Sequence, residues 1–241
     1  MIQSIKNFLI HPKIRGLDVN SSEIVNVSRE ILDSKKMFKQ VISEFYKACY
    51  NLDLKYFNQK GDKLEIGAGV SFIKELYPNV ITSDIKKTTH LDREIDALNM
   101  ELENNSMSAI YGLNCFHHLP DPNLFFKELD RLLVKGGGCV LIDPFHGTFA
   151  GFLYKRLFKD ETFDKTQQNW IDPENEVMKG ANQALSYIVF MRDKKKFLKE
   201  NPNLELVIQK PLNNYMRYLI SGGLNFRQLL PNFMICYWLI K

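Results

Sequence analysis

The chain has 241 residues, 45% of them hydrophobic and 25% charged, a globular balance that excludes disordered, collagen-like and low-complexity classes. That length lets roughly 70% of the unfolded surface be buried, so a real core is expected. A formal charge of +4, scattered apart from Lys194, Lys195 and Lys196, gives no nucleic-acid footprint.

In chain order, the opening MIQSIKNFLI is broken by Lys6 and lacks a cleavage-site pattern. No stretch approaches the roughly 18 apolar residues of a spanning helix. The expectation is a cytoplasmic chain without a transmembrane segment. Met37, Phe38, Val41, Ile42, Phe45, Tyr46 and Cys49 recur at helical spacing and predict an amphipathic helix, with Ser34 as a possible cap. This segment reads as an N-terminal helical extension over 1–58, preceding the main domain at 59–241.

After Gln59-Lys60-Gly61-Asp62 a βα rhythm begins: a strand at Leu64–Ile66, a glycine turn, a helix to about Leu76 and a strand at Val80–Thr82. Strands are then predicted at Ile95–Leu98, Ala109–Leu113 and Cys139–Ile142, with a helix from about Asn123 to Leu133 before Lys135 and three glycines. Strands alternating with helices imply a doubly wound, mostly parallel α/β sheet. From about 145 to 200 the pattern is irregular and reads as an acceptor-side insertion, its aromatics between Phe145 and Trp170 lining a pocket or packing. A helix is predicted over Ala181–Leu198, then a strand at Leu204–Ile208 and a terminal apolar run, Phe233–Ile240. The lysine run falls on that helix and reads as solvated, since adjacent residues point around it. Cys49, Cys115, Cys139 and Cys236 stand far apart with no C-x-x-C pair, suggesting neither a disulfide framework nor a structural metal site.

The chemistry concentrates in Leu64-Glu65-Ile66-Gly67-Ala68-Gly69, a strand running into a two-glycine turn and a helix, where a ligand can approach the backbone and find free amide donors. A dinucleotide site wants a third glycine where this chain has Phe72, and Glu65 would set a carboxylate near a pyrophosphate. The same carboxylate suits the ammonium of an amino-acid moiety, such as the methionine part of S-adenosylmethionine. Asp84, 17 residues after Gly67, closes the second strand where an acid can accept both ribose hydroxyls.

In order, LEIGAG, TSDI, IDALNMELENNSMSAI, LNCFHHLPDP, FFKELDRLLVKGGG and VLIDP resemble the class I methyltransferases of the type 11 group over about residues 63–145. The resemblance implies a seven-stranded Rossmann-like sheet, S-adenosylmethionine as cofactor and methyl transfer above the fourth strand. It places Glu65, Gly67 and Gly69 at the methionine part, Asp84 and Ile85 at the ribose and adenine, Asp96 and Ala97 at the adenine, and Asn114 near the sulfonium. His117 and His118 follow that strand at the reactive end, with His118 the preferred base; no carboxylate at fixed spacing makes them metal ligands, and no metal is expected. The chain departs from the group's pattern at Ser71, where many relatives have glycine, and at Asn99-Met100-Glu101. The acceptor is an unidentified small molecule, glycan or lipid-linked compound. Two alternatives stay open: a non-catalytic cofactor-binding or partner module on this fold, and an NAD-dependent oxidoreductase or epimerase, which Phe72 and Glu65 oppose. Oligomeric state is not legible.

Overall fold

The computed structural model describes residues 8–17, 22–86, 88–144, 146–147, 151–152, 155, 161–171 and 181–232. The chain divides into two compact units, one of residues 1–47 with 211–241, the other of residues 48–210.

The first unit holds α1 (Ser22–Ser34), the start of α2 (Lys36–Tyr56) and α6 (Tyr215–Ser221). The predicted apolar face of α2 is buried throughout, from Met37 to Cys49. Ser34 does not cap it: Ser34 ends α1 and its Oγ donates to the Ile31 carbonyl at 2.8 Å. Between the helices, Lys35 is buried and its Nζ donates to the carbonyls of Gly223, at 2.7 Å, and Phe226. Those carbonyls belong to the turn after α6, where Gly222 adopts φ +72° and a Cβ would meet the Arg227 carbonyl at 2.4 Å. Only glycine fits there.

The second unit is built on β1 (Asp62–Ile66), β2 (Val80–Asp84), β3 (Arg93–Glu94), β4 (Met107–Leu113) and β5 (Leu133–Ile142), all parallel, in the order β3-β2-β1-β4-β5. Short α3 (Ile73–Leu76) and α4 (Pro122–Leu132) provide crossovers, and α5 (Lys194–Glu200) follows the irregular segment. β4 is buried over six of its seven residues, as a central parallel strand must be. Asp121 caps α4, accepting from the amides of Asn123 and Leu124, with Pro122 at the first helical position. Phe125, Phe126, Leu129 and Leu132 form its buried stripe. At the C-terminal end of α2, Asp53 is wholly buried and accepts from Tyr111 Oη of β4 at 2.5 Å, from Gln59 Nε2 at 2.7 Å and from Lys63 Nζ of β1. That carboxylate pins the helix end to two strands.

The fold class is the α/β one expected, but the described sheet has five strands, not seven. Leu204–Ile208 alternates like a strand yet joins no ladder among the described residues, and Val207 and Ile208 are exposed; Phe233–Ile240 lies outside them. The predicted strand at Ile95–Leu98 shifts back to Arg93–Glu94, because Asp96 folds the chain: its Oδ1 accepts from the Leu98 amide at 2.8 Å and its carbonyl from Asn99. The helix predicted over Ala181–Leu198 is broken. A helical turn at Leu185–Tyr187 widens into a π turn at Ile188–Arg192, closed by Asp193 N to the Ile188 carbonyl, and α5 starts afresh after Asp193. Asp193 is held there by Arg192 and by Trp170 Nε1 at 2.9 Å. Among the described residues no helix is long and apolar enough to cross a membrane.

Candidate active site at the strand-order switch

The chain begins its sheet in the middle, winds outward through β2 to β3, then returns to β4 beside β1. The carboxyl ends of β1 and β4 therefore part company at a topological switch, the place where open α/β sheets bind ligands. β1 leaves it through Gly67 and Gly69, with φ of +58° and +51°. A Cβ on Gly67 would lie 2.6 Å from Cys115 Cβ, whereas one on Gly69 would meet nothing within 4 Å among the described residues. The first glycine is required by packing; the second faces open space that a ligand can use. β4 leaves through Asn114, also left-handed at φ +50°, whose amide donates to the Ile142 carbonyl at 2.7 Å. Asparagine tolerates that conformation better than most residues.

Asp84 closes the glycine turn. Its Oδ2 accepts from the Gly69 amide at 2.9 Å and its Oδ1 from Lys86 N at 3.0 Å, while His90 Nε2 lies 2.7 Å from the Gly69 carbonyl. Ile85, next to it, is an exposed apolar side chain just after β2. Glu65 is buried on β1 and accepts from Ser71 Oγ at 2.5 Å; Ser71 Oγ in turn accepts from Ile73 N at the start of α3. The serine that departs from the glycine pattern thus fixes the carboxylate. Asp96 is exposed in its own turn with Ala97 half-buried beside it, and no hydrogen bond among the described residues joins either to the glycine turn. The neighbouring stretch Asn99-Met100-Glu101 is fastened from α4: Glu128 accepts from the Met100 amide at 2.6 Å, and Arg131 donates to the carbonyls of Met100 and Leu102.

On the β4–β5 side, His117 is buried in the 3₁₀ turn Phe116–His118, and its Nδ1 lies 3.2 Å from Asp143 Oδ1 at the end of β5. Ser186 Oγ donates to the other Asp143 oxygen. Glu161 approaches from the irregular segment, its Oε2 3.8 Å from His117 Nε2 and its Oε1 4.0 Å from His118 Nε2, and Gln183 Nε2 donates to it. Burial works against a proton on His117, but the Asp143 carboxylate and then Glu161 raise its pKa above the ordinary 6.5. Burial and the charge of His117 push His118 down to about 3. Burial opposes the charge on Asp143 too, yet His117 and Ser186 hold it below the usual carboxylate range. At the centre, burial and then the charges of Asp143, Glu65 and Asp84 keep the Cys115 thiol protonated.

Of the residues expected at the site, Glu65, Gly67, Gly69, Asp84 and Asn114 lie at or just after the carboxyl ends of β1, β2 and β4, and His117 and His118 follow in the next turn. Asp143, Glu161, Gln183 and Ser186, not singled out as site residues from the sequence, come to the His117 side from 26 to 69 positions further along the chain. The one signal was the Asp143 at the end of VLIDP. Trp170 and Phe163 are buried packing residues, Trp170 carrying the Lys196 ammonium 4.3 Å from its ring centroid; Phe145 lies outside the described residues. Cys49, Cys115 and Cys139 are free, and Cys236 also lies outside them.

Residues 64–141 match the model of the type 11 methyltransferase domain family, a segment running from β1 to the end of β5. Over that segment the chain is similar to a methyltransferase domain. The parallel sheet has the Rossmann-like order of that fold class. Solved structures similar to this chain include the YcgJ protein of Bacillus subtilis, 14% identical over 73% of this chain and 78% of that one with a TM-score of 0.42. A putative S-adenosyl-L-methionine-dependent methyltransferase of Methanococcus maripaludis is 15% identical over 88% and 94%, TM-score 0.40. The geranyl diphosphate C-methyltransferase of Streptomyces coelicolor A3(2) is 13% identical over 65% and 70%, TM-score 0.36. No curated protein matches the chain.

Proposed function

We propose that this methyltransferase passes the methyl group of S-adenosylmethionine to a small-molecule, glycan or lipid-linked acceptor held on the His117–His118 side of the switch. In this reading Glu65, Gly67 and Gly69 border the methionine part, Asp84 and Ile85 the ribose and adenine, Asp96 and Ala97 the far edge of the adenine, and Asn114 the sulfonium. The observation that carries the reading is the open space over Gly69 beside Asp84: backbone without a Cβ, next to an acid at the end of β2.

Displacement at a sulfonium disperses charge, so the protein has to align acceptor, methyl and sulfur in a dry site more than to supply strong acids or bases. His117 and His118 address the acceptor's reacting group, and His118 is the more open of the two, with 21% of its side chain exposed against 4%. Calorimetry with S-adenosylhomocysteine and with NAD tests the donor half: binding of the first and not the second is expected, and the reverse overturns it. With an acceptor in hand, His118→Ala should keep cofactor affinity and lose about 10²–10⁴ in turnover, the range for groups acting on the reacting atoms.

A further inference from the structure

His117, His118 and Glu161 form a cluster of a kind that methyl transfer does not require. One ring nitrogen of each histidine and one oxygen of Glu161 lie within 4.8 Å of one another. The groups behind them are arranged as a metal site's outer layer is. Asp143 takes the Nδ1 side of His117 and leaves its Nε2 directed at Glu161, while Ser186 holds the second Asp143 oxygen and Gln183 holds Glu161. A carboxylate behind a ligating histidine fixes both its tautomer and its ring orientation.

From this geometry we infer that His117, His118 and Glu161 bind one divalent transition-metal ion, with Asp143 as the residue that positions His117. Two imidazoles and one carboxylate suit zinc, cobalt, manganese or ferrous iron better than calcium or magnesium, which prefer all-oxygen shells. Metal–ligand bonds of about 2.0–2.2 Å put neighbouring ligand atoms about 2.8–3.6 Å apart, from octahedral to tetrahedral geometry. The 3.8 and 4.0 Å separations here close to that by small side-chain adjustments of Glu161 and His118, both partly exposed. Three protein ligands leave coordination positions open, as in catalytic sites, where an acceptor oxygen can sit beside the methyl donor. That last point rests on the methyl-transfer reading; ion binding itself does not.

The test uses the full chain, stripped with a chelator and titrated with Co²⁺ and Zn²⁺ by calorimetry and by the visible spectrum of Co²⁺. One ion per chain is expected, with nitrogen-ligated Co²⁺ bands. Glu161→Gln and His118→Ala should each weaken binding at least tenfold, and Asp143→Asn by about 10- to 100-fold. Glu161→Gln keeps the shape of a half-open side chain, and circular dichroism of each variant checks that it folds. Absence of binding, or unchanged affinity in both folded Glu161→Gln and His118→Ala, overturns the inference. S-adenosylhomocysteine binding to the same samples separates the two readings: cofactor binding without metal sinks only this inference, and metal binding without cofactor sinks only the proposed function.

Discussion

Gly67 and Gly69 share a left-handed backbone but not a reason for being glycine. At Gly67 a Cβ would collide with Cys115, so Gly67→Ala adds a steric clash to backbone strain and should destabilise the fold by about 1–3 kcal/mol. Gly69→Ala meets no neighbour, so its stability loss should be the smaller, while cofactor affinity falls because the methyl group enters the ligand's space. Urea unfolding with S-adenosylhomocysteine calorimetry on both variants checks the contrast; equal stability losses with equal affinities would remove Gly69 from the site. Asp84 carries a related prediction. Asp84→Ala should weaken cofactor binding by about 1–3 kcal/mol, the cost of hydrogen-bonding groups left unpaired, with the sheet intact. An unchanged dissociation constant would show that Asp84 serves only to hold the Gly69 amide.

Between elements, the Asp53 carboxylate ties the C-terminal end of α2 to β1 and β4 through Lys63, Gln59 and Tyr111. Removing one partner of a buried charged pair costs about 3–5 kcal/mol, so Asp53→Ala should be among the most destabilising single changes in this unit, read as a fall in the urea midpoint. Tyr111→Phe should cost far less, because it removes one donor and leaves Lys63 to compensate the charge. Neither tie is legible in the sequence: Asp53 looks like a helix-surface acid and Tyr111 like one apolar residue in a strand. What was legible obeys local rules. The helix of α2 followed from its apolar spacing, α4 from the stop at Lys135 and three glycines, and the glycine turn from the G-x-G spacing after a buried strand. Leu204–Ile208 shows the limit, since alternation describes a pleated segment but not whether a neighbouring strand exists to pair with it. The His117–Asp143–Glu161 cluster fails for the same reason: its members meet only through the parallel register of β4 with β5 and the return of the irregular segment.

On the scale of the whole molecule, the first unit carries its own pH dependence. Burial pushes Lys35 down to about 8 from its ordinary 10.5, and burial with the charges of Lys35, Lys13 and Arg227 lowers His11 below 6.5. Both groups bind protons less readily folded than unfolded, so stability rises with pH, across roughly pH 8 to 10.5 for Lys35 and as pH climbs towards 6.5 for His11. Lys35→Met should flatten the alkaline part of this rise relative to the unaltered chain, measured by urea unfolding at pH 7, 8.5 and 10. A parallel rise in both proteins would mean that the Gly223 and Phe226 carbonyls keep Lys35 charged throughout.

The two units also differ in how the chain is threaded through them. Residues 48–210 are contiguous, whereas the other unit joins residues 1–47 to residues 211–241 across the 163 residues between them. Contacts between such distant segments form only after the entropy of a long loop has been spent, a cost that grows slowly with length but slows folding. When the intervening residues have already condensed, that loop is short in effect. The expected order of assembly is therefore the sheet first and the Lys35 contacts with Gly223 and Phe226 last. Pulse-labelling hydrogen exchange during refolding reads this directly: amides of β1 and β4 should be protected in an earlier phase than those of α1 and α6, and simultaneous protection would mean that the two units fold as one.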